Sequence, residues 1–219
     1  MRHHAHLQLF IPSLALIQVT ALCLFLPLLT QAQLKPLEVD YQMRGYFYAT
    51  SAIVDSLAPG GFGGSNNMTT RQDESWKHFT QDLAIFIDTT ETNPFSEEIA
   101  GYPLYLINGS DTVQAFEAQD SRLAMVGEVW LDEKWQPIEY LPSSWCGNSY
   151  HTLYLPSNQY WSFAIPQYKG PIATKLRYRI TTETGLELVS NEIETSIHPK
   201  QLTTPQSYRP RGLMDPYDN

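Results

Sequence analysis

The sequence predicts an all-β chain folded as an antiparallel sandwich, and three observations carry the prediction. Short runs rich in Val, Ile, Leu, Tyr, Phe and Trp recur from residue 83 to residue 197. Turn-forming residues separate them about every eight to twelve positions, the spacing of an immunoglobulin-like β-sandwich. Outside the N-terminal leader, no stretch keeps a helical period for three turns. A closed barrel would give the same pattern, and pattern alone does not separate the two.

The leader comes first in the chain. After MRHHAH, no charged side chain occurs from Leu7 to Leu29, and Pro27 interrupts the apolar run near its end. Thr30-Gln31-Ala32 then places small residues where a signal peptidase reads, so residues 1–32 are expected to be a signal peptide cut after Ala32. The competing reading is a retained anchor, because the run is just long enough to span a bilayer. Cleavage would leave no membrane span and would place the chain outside the cell or in the cell envelope.

Residues 33–82 form an N-terminal segment with a strand-like run, MRGYFYATSAIV (43–54), and a Gly-rich loop, PGGFGGSNN (59–67). The loop lacks the Gly-Lys-Ser/Thr ending of a phosphate cradle, and no convincing helix follows it. The sandwich itself is expected over residues 83–198. LAIFID (83–88) and PLYLIN (103–108) open it, and Asn108-Gly109 turns the chain into TVQAFEA (112–118). In LAMVGEVWL (123–131), Leu123, Met125, Val129 and Leu131 share one face, with Gly127 among them and Trp130 opposite. Asp132-Glu133-Lys134 makes a tight connection to WQPIEY (135–140), where Pro137 marks an edge or a bulge.

HTLYLP (151–156) and YWSFAI (160–165) flank a hairpin-length turn at Ser157-Asn158-Gln159. IATKLRYRITT (172–182) alternates most cleanly: Leu176, Tyr178 and Ile180 on one face, Lys175, Arg177 and Arg179 on the other. The basic trio reads as a solvated strand face. LELVS (186–190) and EIETSI (192–197) close the set. Residues 199–219 hold four prolines and no apolar periodicity, which predicts a flexible C-terminal tail.

Composition narrows the function. The whole chain carries 14 basic and 23 acidic residues, net −9. The leader holds one basic residue, Arg2, and no acidic one, so the mature chain is at −10. Such a surface is repelled by nucleic-acid phosphates, and nucleic acid is not an expected partner. Of two cysteines only Cys146 follows the leader, so no internal disulfide can form in the mature chain. Two sequons, Asn67-Met68-Thr69 and Asn108-Gly109-Ser110, are triplets common by chance.

Candidate chemistry is sparse. Cys146 stands five residues before His151, and a turn at Gly147-Asn148 could bring a thiol and its base together. A free cysteine is more commonly a small buried apolar side chain, and that is the expectation here. The other mature histidines, His78 and His198, lie far off in the sequence, so no metal-ligand spacing is present. Glu97-Glu98 and Asp132-Glu133 read as solvated turns rather than a glycosidase pair. No cofactor motif and no Gly-x-Ser-x-Gly elbow is present, so no cofactor and no catalytic residue is expected. Aromatics are the remaining signal: nine Trp and Tyr residues fall in 130–168, more than one core needs. Trp130 and Trp135 bracket one hairpin and are the expected ligand-binding residues, for a protein or glycan partner.

WLDEKWQPIEYLPSSWCGNSY, TKLRYRI and SNEI resemble stretches of uncharacterised exported bacterial proteins with an immunoglobulin-like sandwich. The resemblance covers roughly residues 100–200 and implies a fold and an envelope or extracellular location. It transfers no catalytic residue, and the paired cysteines of antibody-type domains are missing. The expected function is therefore an exported, non-enzymatic module, structural or binding. The alternative is a hydrolase or thiol enzyme using Cys146 and His151.

Overall fold

The computed structural model describes residues 33–58, 60–73, 82–142, 144 and 146–202. The expected signal peptide, His78, Trp145 and residues 203–219 of the expected tail lie outside these residues; the first four residues given to the tail, Pro199–Leu202, instead form a 3-10 turn that buries Gln201. Fourteen strands and two 3-10 turns make up the regular structure, with no α-helix among the described residues. No helix of the described residues is long and apolar enough to cross a membrane.

One sheet runs β2 (Thr70–Arg71), β11 (Gln159–Pro166), β4 (Gly101–Asn108), β3 (Leu83–Ile87), antiparallel throughout. The other large sheet runs β8 (Lys134–Pro137), β7 (Val126–Leu131), β12 (Ile172–Thr181). Along its far edge β12 pairs first with β14 (Ile193–Ile197) and then with β13 (Glu187–Val189). The alternation of β12 explains its place: Leu176, Tyr178 and Ile180 are fully buried, as the period of two requires. Asn191 breaks the β13–β14 edge. Its amide instead clips the two sheets together, accepting from Ile87 N at 2.7 Å and donating to Ile87 O at 3.0 Å.

A third, smaller sheet orders β10 (Tyr150–Leu155), β5 (Gln114–Gln119) and β6 (Arg122–Leu123). The residues between β10 and β11 therefore do not close a hairpin: the two strands belong to different sheets. Asn158, at φ 55°, turns the chain from one to the other. The Asn108 turn does the same between β4 and β5. Its fully buried amide donates to Thr112 O and Leu155 O, and its oxygen accepts from Ser110. WQPIEY also splits, because Ile138 turns inward and β9 (Glu139–Tyr140) leaves to pair in parallel with β1 (Met43–Arg44).

The segment before residue 83 is part of the core. Phe47 has no exposed surface and packs edge-on against Phe163 of β11 and Tyr178 of β12, with centroids at 5.4 and 5.3 Å. It thus bridges the two large sheets. Ala49 N donates to Ser121 O, Leu123 N donates to Phe47 O, and Trp161 Nε1 donates to Thr50 O. These bonds tie the segment to β6 and β11. The composition of 33–82 hides this, because the run is irregular and its core contacts come from single residues.

Candidate functional site

The outward face of the β8–β7–β12 sheet carries both of the tryptophans singled out by the sequence. Asp132 and Glu133 close the β7–β8 hairpin, both at positive φ (52° and 60°), the two-residue geometry that matches strand twist. The register sets Trp130 directly across from Trp135. Their ring centroids are 5.4 Å apart with planes tilted by 59°. Trp130 is 42% exposed and Trp135 half-buried, as the alternation in the sequence led us to expect.

Behind the rings stands a charge cluster that the sequence reading missed. Arg177 lies 4.1 Å over the Trp135 ring and faces Glu128 across the β12–β7 register. Its Nη2 donates to Glu128 Oε2 at 3.1 Å, and Arg179 Nε donates to Glu128 Oε1 at 2.6 Å. Glu128 is buried. Two of the three basic side chains on β12 therefore do not form a solvated face; they enclose a carboxylate. Only Lys175 keeps that character, in an exposed pair with Glu192 at 2.8 Å. Alternation reports which face a residue occupies but not what stands beside it, and EVWL gives no hint that Glu128 is covered.

At one end this face opens into a cavity of about 170 Å³. Ala118, Ala124, Val126, Pro137 and Leu141 give it apolar walls, while Arg122, Gln119, Glu117 and Arg179 add polar groups. Arg122 is buried. Its Nη2 donates to Gln119 Oε1 at 3.0 Å and its Nη1 reaches Tyr48 Oη at 3.5 Å. The Tyr48 ring centroid is 5.8 Å from the guanidinium carbon.

Glu139 also borders the cavity, but its carboxylate is held inside the core. Tyr46 and Tyr168 hydroxyls each donate to Oε1 at 2.9 Å, Tyr178 reaches it at 3.5 Å, and Gly127 N donates to Oε2 at 3.0 Å. Burial raises its pKa to about 7, against the pull of these four donors. Burial raises the three tyrosines as well, well above their ordinary range, and the neighbouring carboxylate adds to this. A pKa near neutrality beside a cavity is a common mark of a working acid or base. Here three hydroxyls meet Oε1 and one backbone N–H meets Oε2, and the residue is almost wholly buried, so Glu139 serves as the polar centre of the core. The sequence held one signal for it. Gly127 interrupts the inward apolar face of its strand, and a Cβ there would stand 3.1 Å from both Glu139 Oε1 and Tyr178 Cε1.

Cys146 and His151 are not brought together as a catalytic pair. Cys146 is exposed, which corrects the expectation of a buried structural side chain. It precedes a 3-10 turn at Gly147–Ser149 that lifts it out of the sheet. His151 is buried, stacks on Phe62 at 3.8 Å and directs Nδ1 to Ser149 O at 3.2 Å. Its Nε2 has no hydrogen-bond partner, so no bond joins it to the thiol. Burial lowers its pKa, which leaves the imidazole neutral at pH 7. The sequon amides are also engaged: Asn67 Nδ2 donates to Tyr48 O and Ser162 O, as Asn108 does to its own partners.

No family model, no curated protein and no solved structure matches this chain.

Proposed function

We propose that the chain is an exported, non-catalytic module with an immunoglobulin-like sandwich, recognising a glycan or protein partner through the outward face of β7, β8 and β12. The single observation that carries this reading is Trp130. A large ring is left 42% exposed yet is fixed by Trp135, which is held by Arg177, which is anchored on Glu128. Rigid Trp and Arg side chains offer much contact area at small entropic cost, and such residues dominate binding energy at interfaces. Two antiparallel sheets sharing one core support the sandwich architecture. The uncharged run 7–29 and the small residues before Gln33 support export to the envelope or the outside.

The test is affinity electrophoresis through gels containing soluble β-glucan, xylan or peptidoglycan fragments, together with solid-phase binding to envelope proteins. The wild-type chain is expected to be retarded or captured by one of these, and Trp130→Ala with Trp135→Ala to lose at least tenfold in affinity. A double variant that stays folded and binds as tightly as the wild type overturns the reading.

A further inference from the structure

Arg122 poses a physical problem that the fold does not answer. Its side chain lines the cavity, and only 2% of the residue is exposed. A guanidinium has five N–H groups, and two hydrogen bonds engage at most two of them, both with neutral acceptors. No ion pair reaches it among the described residues. Arg44 is close enough to repel it, and Asp120 attracts it only as a lesser influence. Burying a cation without an anion is costly, and charged side chains are almost never fully buried unless paired.

The other basic group of the walls behaves differently. Arg179 is already committed to Glu128 and also faces Glu187 at 3.7 Å. The cavity therefore presents one uncompensated cation, an amide at Gln119 and apolar walls from Ala118, Ala124 and Leu141. Glu117 and Glu139 also line the cavity and disfavour a doubly charged guest such as phosphate more than a singly charged one. A monoanion with a planar two-oxygen head fits the guanidinium, which pairs with carboxylates through two parallel bonds. At about 170 Å³ the cavity admits a small guest, such as a short aliphatic acid or the last residue of a peptide.

We propose that this cavity is a binding site for a carboxylate carrying a short apolar body, with Arg122 as its counter-ion. The guest is a small aliphatic acid or the C-terminal alanine-sized residue of a peptide. The site lies at one end of the same outward face, but neither Trp130 nor Trp135 lines it, so it does not depend on those rings binding anything.

The experiment is calorimetric titration of the folded chain with butanoate, with Ala-Ala-Ala bearing a free carboxylate, and with the same peptide as its C-terminal amide. One or both free acids should bind, and the amide at least tenfold more weakly. Butanoate without the peptide would identify a free acid as the guest; peptide without butanoate would identify a chain terminus. Arg122→Gln should weaken binding at least tenfold. Because that variant also disturbs the Tyr48 contact, Ala124→Leu is the second probe. It fills the cavity and leaves Arg122 and its partners in place, and should abolish binding in a folded chain. Two results overturn the proposal: no heat from either free acid at tens of millimolar, or undiminished binding by Ala124→Leu. Neither variant touches Trp130 or Trp135, so a failure here is distinct from a failure of the recognition face.

Discussion

Glu128 lies on one arm of the β7–β8 hairpin and Glu139 just past the other, both are buried, and the protein keeps them by opposite means. Glu128 accepts from two arginines that reach it from the neighbouring strand, with 20% and 30% of their side-chain surface exposed. Its charge is answered by charge, close to water. Glu139 lies deeper and has no cation among its partners; three hydroxyls and one backbone N–H surround it. Hydrogen bonds stabilise the ionised form there but do not outweigh desolvation, and its pKa rises to about 7. The pair teaches that a buried carboxylate can be matched either by cations near solvent or by neutral donors inside the core.

The comparison can be broken most sharply at Glu128. Replacing it with Ala leaves Arg177 and Arg179 without their anion and frees the Trp135 ring from its anchored cation. A loss of about 3 kcal/mol in urea-unfolding stability is expected. A loss below about 1 kcal/mol would mean the two arginines rehydrate without cost.

Glu139 should instead reveal itself through pH. Below about pH 4.5 it is protonated in both folded and unfolded chains, and its contribution is fully present. As pH rises, the unfolded carboxyl ionises first, and the folded one follows near pH 7, so stability falls across that window and stays low above it. The full span is of order 3 kcal/mol for the raised pKa. Glu139→Gln should flatten the fall. An unchanged slope in the variant would show that another group titrates.

Gly127→Ala sharpens the same point by geometry, because its Cβ would press on Glu139 Oε1 and Tyr178. A cost of about 1–3 kcal/mol is expected from thermal unfolding. A neutral result would show that the tyrosine cluster yields. The smallest effect is predicted at the turn between the two carboxylates. Glu133→Gly relieves a positive φ of 60° without touching either site, and should stabilise by about 0.5–1 kcal/mol. If it shifts the pH profile as well, the two carboxylates are not independent.

Much of the fold was legible because period-two alternation is local. β12 shows its inner face in Leu176, Tyr178 and Ile180, and Trp130 was placed outward by the same logic. What stayed hidden is non-local. The turn at Asn158 looked like a hairpin because its two strands are adjacent in sequence, whereas their partners, β5 and β4, come from far upstream. The Asp120-Ser121 turn, at φ 50° and 60°, closes the β5–β6 hairpin without the usual Gly, so Arg122 drew no notice. Cys146 was read as buried on residue type alone, which cannot register that a 3-10 turn sits beside it. The candidate site divides the same way: the tryptophans follow from spacing, while Arg122, Glu128 and Glu139 emerge only from pairing.

Phe47 has one more implication, for the order of folding. The residues that enclose it, Phe163 and Tyr178, are encoded more than a hundred positions later, so the N-terminal segment has nowhere to dock until most of the chain exists. Such topologies assemble slowly, on the order of milliseconds to seconds. The same arrangement makes the segment separable in principle. Residues 52–58 are mostly exposed, and a protease cutting there would leave an N-terminal peptide still threaded between the sheets. The nicked protein should elute as one particle and release the peptide only when the core melts.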